Sequence, residues 1–228
     1  MRLVVTGGGT GGHVYPALEI AQLARDEGAE IVYLGSHRGQ EGPACHILGI
    51  TFRGFPSDPL YSLKSPRGWK SLAGLIRARL AVGPVLKRIG PDAVFSTGGY
   101  SAGPVVSAAQ ALGIPFVIHE GDSVTGRTNK MFAARARAVA TTFHGAAKHF
   151  EGCNVVRTGQ PLRKELRAIA DGPHMKDLLP LILVSGGSQG AQALNQAVLG
   201  AAQRMVGRAL HWLHSTGKPN FEGVFNSF

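Results

Sequence analysis

Three glycine clusters are the parts of this 228-residue sequence best suited to chemistry: Gly7–His13 (GGGTGGH), Gly98–Pro104 (GGYSAGP) and Gly186–Ala191 (GGSQGA). Each follows a short apolar run and precedes a stretch with helical spacing. Glycine at such a junction permits positive φ and lets backbone amides approach an anion closely, while the start of a helix adds partial positive charge. The ligand this predicts is a phosphate or pyrophosphate. One cluster alone is equally well explained as an ordinary tight turn. Three at equivalent places in the chain's rhythm point to a ligand-binding rim.

To hold loops at these places the chain must supply strands before them and helices after them. Leu3-Val4-Val5-Thr6 predicts a buried strand, and Val14, Ala17, Leu18 and Ala21 mark one face of the helix that follows. Ile31–Leu34 predicts the next strand. Later strands are predicted at Asp92–Ser96, Pro115–His119, Ala138–Thr142 and Asn154–Arg157, with helices over Val105–Leu112 and Thr128–Ala134. This is the rhythm of a parallel, doubly wound α/β sheet. A second start comes at Leu181–Val184, which enters GGSQGA, followed by a helix around Leu194–Ala202 and a strand at Ala209–Leu213. Between the two starts, Arg163–Asp177 is charged and contains Gly172-Pro173, which reads as a linker region. The sequence therefore predicts a first domain over residues 1–162 and a second over 163–228 that is too short to be a complete α/β domain.

Composition removes several alternatives. With 44% hydrophobic and 17% charged residues the chain is neither disordered nor fibrous. Cys45 and Cys153 lie far apart, outside any C-x-x-C spacing, which argues against a zinc module or a disulfide framework and predicts a reducing setting. The start of the chain has no apolar stretch with a small-residue cleavage site, and no apolar run reaches the length of a membrane span. A soluble or peripheral protein is expected. The GGGTGG cluster can be forced onto a dinucleotide fingerprint, but Leu34-Gly35-Ser36 stands where the acidic ribose ligand belongs, so a dehydrogenase is disfavoured. The absence of GK[ST] after the first strand disfavours a phosphate-loop ATPase.

The formal charge is +10, and residues 59–91 hold seven basic residues (Lys64, Arg67, Lys70, Arg77, Arg79, Lys87 and Arg88) with no acidic one. Trp69, Leu72, Ile76 and Leu80 follow helical spacing through this segment, and Gly83-Pro84 is expected to kink or break the helix. Such a helix can pack its apolar stripe on its own sheet with the charges solvated, or lay that stripe on an anionic membrane. The same charge could meet nucleic acid, but no nucleic-acid-binding signature accompanies it, so no nucleic-acid partner is expected.

The opening TGGGTGGHVYPAL, the central STGGYSAGPVVSAAQALGIPFVIHE, the TNK of Thr128–Lys130, the TGQPLR of Thr158–Arg163 and the GGSQGA together resemble the MurG family, the peptidoglycan N-acetylglucosaminyltransferases of bacteria. These motifs span nearly the whole chain in family order. The resemblance implies an α/β protein with two Rossmann-like domains of the GT-B glycosyltransferase type facing each other across a cleft, the second domain being incomplete here. It also implies an inverting transfer of N-acetylglucosamine from UDP-N-acetylglucosamine (UDP-GlcNAc) to the C4 hydroxyl of the muramoyl sugar of undecaprenyl-linked lipid I, giving lipid II. The implied location is peripheral, on the cytoplasmic face of the cell membrane. No cofactor is evident, and a divalent metal requirement is left open.

Carried over residue by residue, the resemblance places Thr10, Gly11 and Gly12 against the donor nucleotide and makes His13 the first candidate for general base, because a neutral imidazole accepts a proton near neutral pH. A histidine at a helix start can also simply position the loop. Glu120 is the second candidate base, or a ligand-orienting group. Arg163 matches the arginine of the family's G-N-P-[VL]-R motif and would bind the nucleotide diphosphate, with Gln160 replacing the usual Asn. Ser188 and Gln189 match donor contacts. Gly99, Tyr100 and Ser101 are candidates to receive the lipid pyrophosphate, although a packed tyrosine is the commoner use of such a residue.

Two departures stand out. Asp122 occupies the position of a family Asn that contacts the donor; it keeps an acceptor oxygen but adds negative charge beside a diphosphate. The family's later uracil-, ribose- and sugar-binding segments do not follow Trp212–Lys218, so a truncated chain of weak or no transferase activity is expected. The alternatives are a non-catalytic, membrane-associated lipid-binding fragment and a related glycosyltransferase with another lipid acceptor.

Overall fold

The computed structural model describes residues 1–57, 66–170, 179–187 and 189–227, without the side chains of 66–72 and 170. Lys64 and Ser188 lie outside the described residues. The side chains of Arg67, Trp69, Lys70 and Leu72 lie outside them as well. The chain divides into two compact units, Met1–Ala168 and Ile169–Phe228. The sequence reading set its boundary after Leu162.

In unit 1 the order is β1 (Arg2–Thr6), α1 (Gly11–Asp26), β2 (Glu30–Ser36), α2 (Glu41–Ile47), β3 (Thr51–Phe55), α3 (Pro66–Ile89), β4 (Ala93–Ser96), α4 (Ala102–Ala111), β5 (Phe116–Glu120), α5 (Arg127–Phe132), β6 (Ala138–Thr141), β7 (Val155–Arg157) and α6 (Lys164–Ala170). The seven strands are all parallel, in the order β3-β2-β1-β4-β5-β6-β7. Alternation along a strand sends side chains to opposite faces, and β1 shows it directly. Val4 joins Val82, Leu86, Val94, Val105 and Ile118 in one core, while Leu3 and Val5 join Val14, Leu18, Tyr33 and Cys45 in the other. Burial on both faces is why these strands read as uninterrupted apolar runs.

Every predicted strand of this unit forms to within a residue or two. The connection α2–β3 carried no sequence prediction: α2 is only seven residues long, and β3 is an edge strand exposed at Thr51 and Arg53. Of the kink or break expected at Gly83-Pro84, the break does not occur. α3 runs unbroken through Gly83-Pro84 to Ile89. An interior proline sacrifices one helical hydrogen bond and costs ~3 kcal/mol. Here Val82 on one side and Leu86 on the other are both buried, and they hold the two halves of the helix to the core.

Unit 2 holds β8 (Leu181–Ser185), α7 (Gln192–Arg204), β9 (His211–Ser215) and α8 (Phe221–Phe225), with β8 and β9 paired in parallel. Ile182, Val184, Trp212 and His214 are half-buried on the face that α7 meets, and His214 is hydrogen-bonded to Asn195 of α7. The other face leaves Leu181 61%, Leu183 66% and Leu213 58% exposed. One layer of this α/β unit is therefore bare, and the C-terminal part is partial, as the sequence reading expects.

Candidate active site

The strand order of unit 1 reverses between β1 and β4, the switch point at which open α/β sheets bind ligands. The first two glycine loops leave the sheet side by side there. Thr10 precedes α1 in an extended conformation, and its carbonyl accepts the N–H groups of His13 and Val14. The amides of Gly11 and Gly12, in the first turn of the helix, have no partner among the described residues. Amides in this position suit an anion or a ligand hydroxyl.

The second loop locks onto the first. The Gly8 N–H donates to the Gly98 carbonyl at 3.2 Å, and Thr97 Oγ1 donates to the His13 carbonyl at 2.7 Å. Gly98 and Gly99 have φ of +87° and +83°, and a β-carbon on Gly99 would lie 1.8 Å from the Gly8 carbonyl oxygen. Neither position tolerates a side chain. The half-buried His13 imidazole sits beside Gly99, its Cδ2 3.1 Å from where that β-carbon would be, and makes no side-chain hydrogen bond among the described residues. The Tyr100 ring packs over Gly9, whose φ is +98°.

Ser101 departs from its expected contact. Its side chain is fully buried and its hydroxyl donates to Glu41 Oε1, so it acts from beneath the loop and does not face a ligand. Glu120 is likewise buried, and its two oxygens accept the Asp122 N–H, the Gly126 N–H and the Asn129 side-chain amide. That arrangement ties the 121–126 turn to α5 and commits the carboxylate to structure. Asp122 itself is exposed. His119 is buried, with Nε2–H donating to the Gly159 carbonyl at 3.1 Å, and Thr142 donates to Gln160 Oε1. These bonds attach the start of the GQPLR segment to the ends of β5 and β6.

The structure groups Arg163 apart from the glycine loops. It is exposed and lines a pocket of about 410 Å³ with Tyr15, Glu19, Leu23 and Leu48. Burial pushes the Glu19 carboxyl above its ordinary range, Glu165 adds to the rise, and Arg163 and Arg167 oppose it.

In unit 2 the third glycine loop is interlocked with the turn after β9. A β-carbon on Gly190 would lie 1.8 Å from the Thr216 carbonyl oxygen, and the Asn220 amide donates to the carbonyls of Gln189 and Thr216. The buried Asn195 amide also donates to Thr216, and its oxygen accepts from His214 Nε2 at 3.0 Å. Gln189 is exposed on this loop.

Sequence reasoning missed Glu41, Thr97 and Asn195, and used Thr128 and Asn129 only as part of a motif. Thr128 donates to the Gly99 carbonyl and Asn129 to the His119 carbonyl and Glu120, so the TNK motif anchors the second glycine loop. Asn195 left a legible signal, a polar amide on the otherwise apolar face of a helix. Glu41 left none beyond its place in a glycine-flanked turn.

Residues 3–141 match the glycosyltransferase family 28 N-terminal domain, and residues 181–228 match the family's C-terminal domain. The chain is 39% identical, over 97% of its length, to the UDP-N-acetylglucosamine--N-acetylmuramyl-(pentapeptide) pyrophosphoryl-undecaprenol N-acetylglucosamine transferase of Desulfitobacterium hafniense. It is 35% identical over 98% of its length to the protein of the same name from an Exiguobacterium species. A crystal structure of Acinetobacter baumannii MurG superposes with a TM-score of 0.77 at 26% identity, over 99% of the chain. The chain spans 63% of the first relative, 65% of the second and 63% of the MurG structure.

Proposed function

Because the chain belongs to glycosyltransferase family 28, we propose that it carries the acceptor-side machinery of an inverting N-acetylglucosaminyltransferase that converts lipid I to lipid II with UDP-GlcNAc as donor. The observation that supports this most is His13, held by Thr97 at the junction of two interlocked glycine loops, its imidazole without a hydrogen-bond partner among the described residues. In this reading the imidazole accepts the proton of the muramoyl C4 hydroxyl as that oxygen bonds to the anomeric carbon of GlcNAc. The bond from that carbon to the diphosphate breaks, and UDP leaves with the electron pair. Thr10, Gly11 and Gly12 contact the donor through backbone amides. Gly99 and Tyr100 receive the lipid pyrophosphate, with Ser101 supporting them from below. In unit 1 Asp122 is a further donor contact, and in unit 2 the third glycine loop carries donor contacts of its own, Ser188 and Gln189. Glu120 orders the turn beside the site and is not the base.

Transfer of GlcNAc to a soluble lipid I analogue tests the reading. His13→Ala is expected to lower the weak turnover expected of this chain by roughly 10²- to 10⁴-fold, the usual contribution of a positioned base. Undiminished turnover in that variant would remove His13 as the base.

The proposed location is the cytoplasmic face of the membrane, with α3 against an anionic surface. Among the described residues no helix is long and apolar enough to cross a membrane. The helix buries Ala78, Val82 and Leu86, leaving Ile76 53% and Leu80 68% exposed among Arg77 and Arg79. This favours the membrane-facing use of the basic helix over one in which the Ile76–Leu80 stripe packs on the sheet.

A further inference from the structure

We propose that Glu41 is a positioning residue that sets the relative geometry of the two glycine loops, and that it acts on ligand affinity through Ser101. The proposal rests on the reading that the second loop receives a pyrophosphate. Glu41 lies in the first turn of α2, an element that contributes nothing else to the switch point, yet its carboxyl is fully buried beneath both loops. Oε1 accepts the Ser101 hydroxyl at 3.1 Å, 60 residues away in the chain. Three glycines from two different loops and a strand end make the room. A β-carbon on Gly8 would lie 1.8 Å from Glu41 Oε1 and 2.2 Å from Ser101 Oγ, one on Gly39 would lie 1.4 Å from Oε2, and one on Gly35 would press on Cβ and Cγ at 3.2 Å.

The second oxygen, Oε2, is buried without a hydrogen-bond partner among the described residues. Burying an unpaired carboxylate oxygen is costly, and an apolar side chain would fill the same space without that cost. What the carboxyl provides that an apolar group could not is the acceptor for Ser101, the residue that precedes α4 and follows the ligand-facing Gly99-Tyr100. The Glu41 charge also reaches the α1–α2 core: burial, then Glu41, pushes the Cys45 thiol up to about 12. Glu41 thus joins the β1, β2 and β4 loop ends at one point.

The test uses two readouts on the whole chain: backbone amide hydrogen exchange, and titration with inorganic pyrophosphate. In Glu41→Ala, exchange should accelerate in both Gly7–Gly12 and Gly98–Ser101, and pyrophosphate affinity should fall about tenfold, the effect of losing one buried hydrogen bond. Glu41→Gln, whose amide oxygen still accepts from Ser101, should restore both. Ser101→Ala breaks the same bond with less disturbance and should reproduce the loss even if Glu41→Ala folds poorly. Exchange confined to α2, or unchanged loops in a folded Ser101→Ala, would overturn the proposal. Absence of pyrophosphate binding by the unaltered chain would count against the pyrophosphate reading, and the exchange pattern would still decide the role of Glu41.

Discussion

At the residue scale, the buried polar groups beneath the switch point differ in what they do with their charge. His119 is 2% exposed, and burial lowers its pKa from the ordinary 6.5, against smaller opposing effects of the Gly159 carbonyl and Glu120. Burial favours its neutral form in the fold more than in the unfolded chain. A depressed folded pKa makes the unfolded chain bind more protons as pH falls below 6.5, so the stability His119 contributes is present above that pH and lost progressively below it. Denaturant unfolding between about pH 7.5 and about pH 5 should show this decline, and His119→Gln should flatten it. An equally steep decline in that variant would assign the effect to other groups. Glu120, the neighbouring residue, has both oxygens committed to backbone and amide donors.

At the element scale, α3 shows how one helix can serve two surfaces. Its sheet-facing stripe is Ala78, Val82 and Leu86 at intervals of four, and Ile76 and Leu80 lie on the exposed side with Arg77, Arg79, Lys87 and Arg88. A basic helix contributes about 1 kcal/mol per cation near an anionic membrane, and apolar side chains add burial at the interface. Sedimentation with vesicles should show binding to anionic phosphatidylglycerol that weakens with salt, and little binding to phosphatidylcholine. Replacing Ile76 and Leu80 together by Ser should reduce the anionic binding without unfolding the chain, because neither side chain is in the core. Equal binding to both vesicle types would contradict the electrostatic part of the proposal. The stripe Trp69, Leu72, Ile76 and Leu80 was legible as periodic. Which face of the helix meets the sheet was not, because two interleaved apolar stripes share the same period.

At the scale of the whole molecule, unit 1 is an α/β sheet buried on both faces, whereas unit 2 is two strands with one face bare. Stability follows buried apolar area, so limited proteolysis should degrade unit 2 first and leave a resistant fragment containing Met1–Ala168. Simultaneous loss of both units would mean that they unfold cooperatively. The sequence by itself determined every strand but β3, most of the helices after them and the three glycine loops. These depend on local quantities: apolar periodicity, and the conformations that only glycine adopts. It also carried the family resemblance, because the motifs lie in order along the chain. Only the tertiary structure decided that Ser101 turns inward to Glu41, that Glu120 is committed to the 121–126 turn, and that Arg163 lines a pocket with Glu19 and not the glycine loops. These contacts span from 2 positions (Glu120 with Asp122) to 144 (Glu19 with Arg163), and no apolar periodicity encodes which donor a carboxylate will meet. For Ser101 and Glu41 the parallel sheet brings the partners together by placing β1 between β2 and β4, and that adjacency is a property of strand order, which the residues of a single strand do not record.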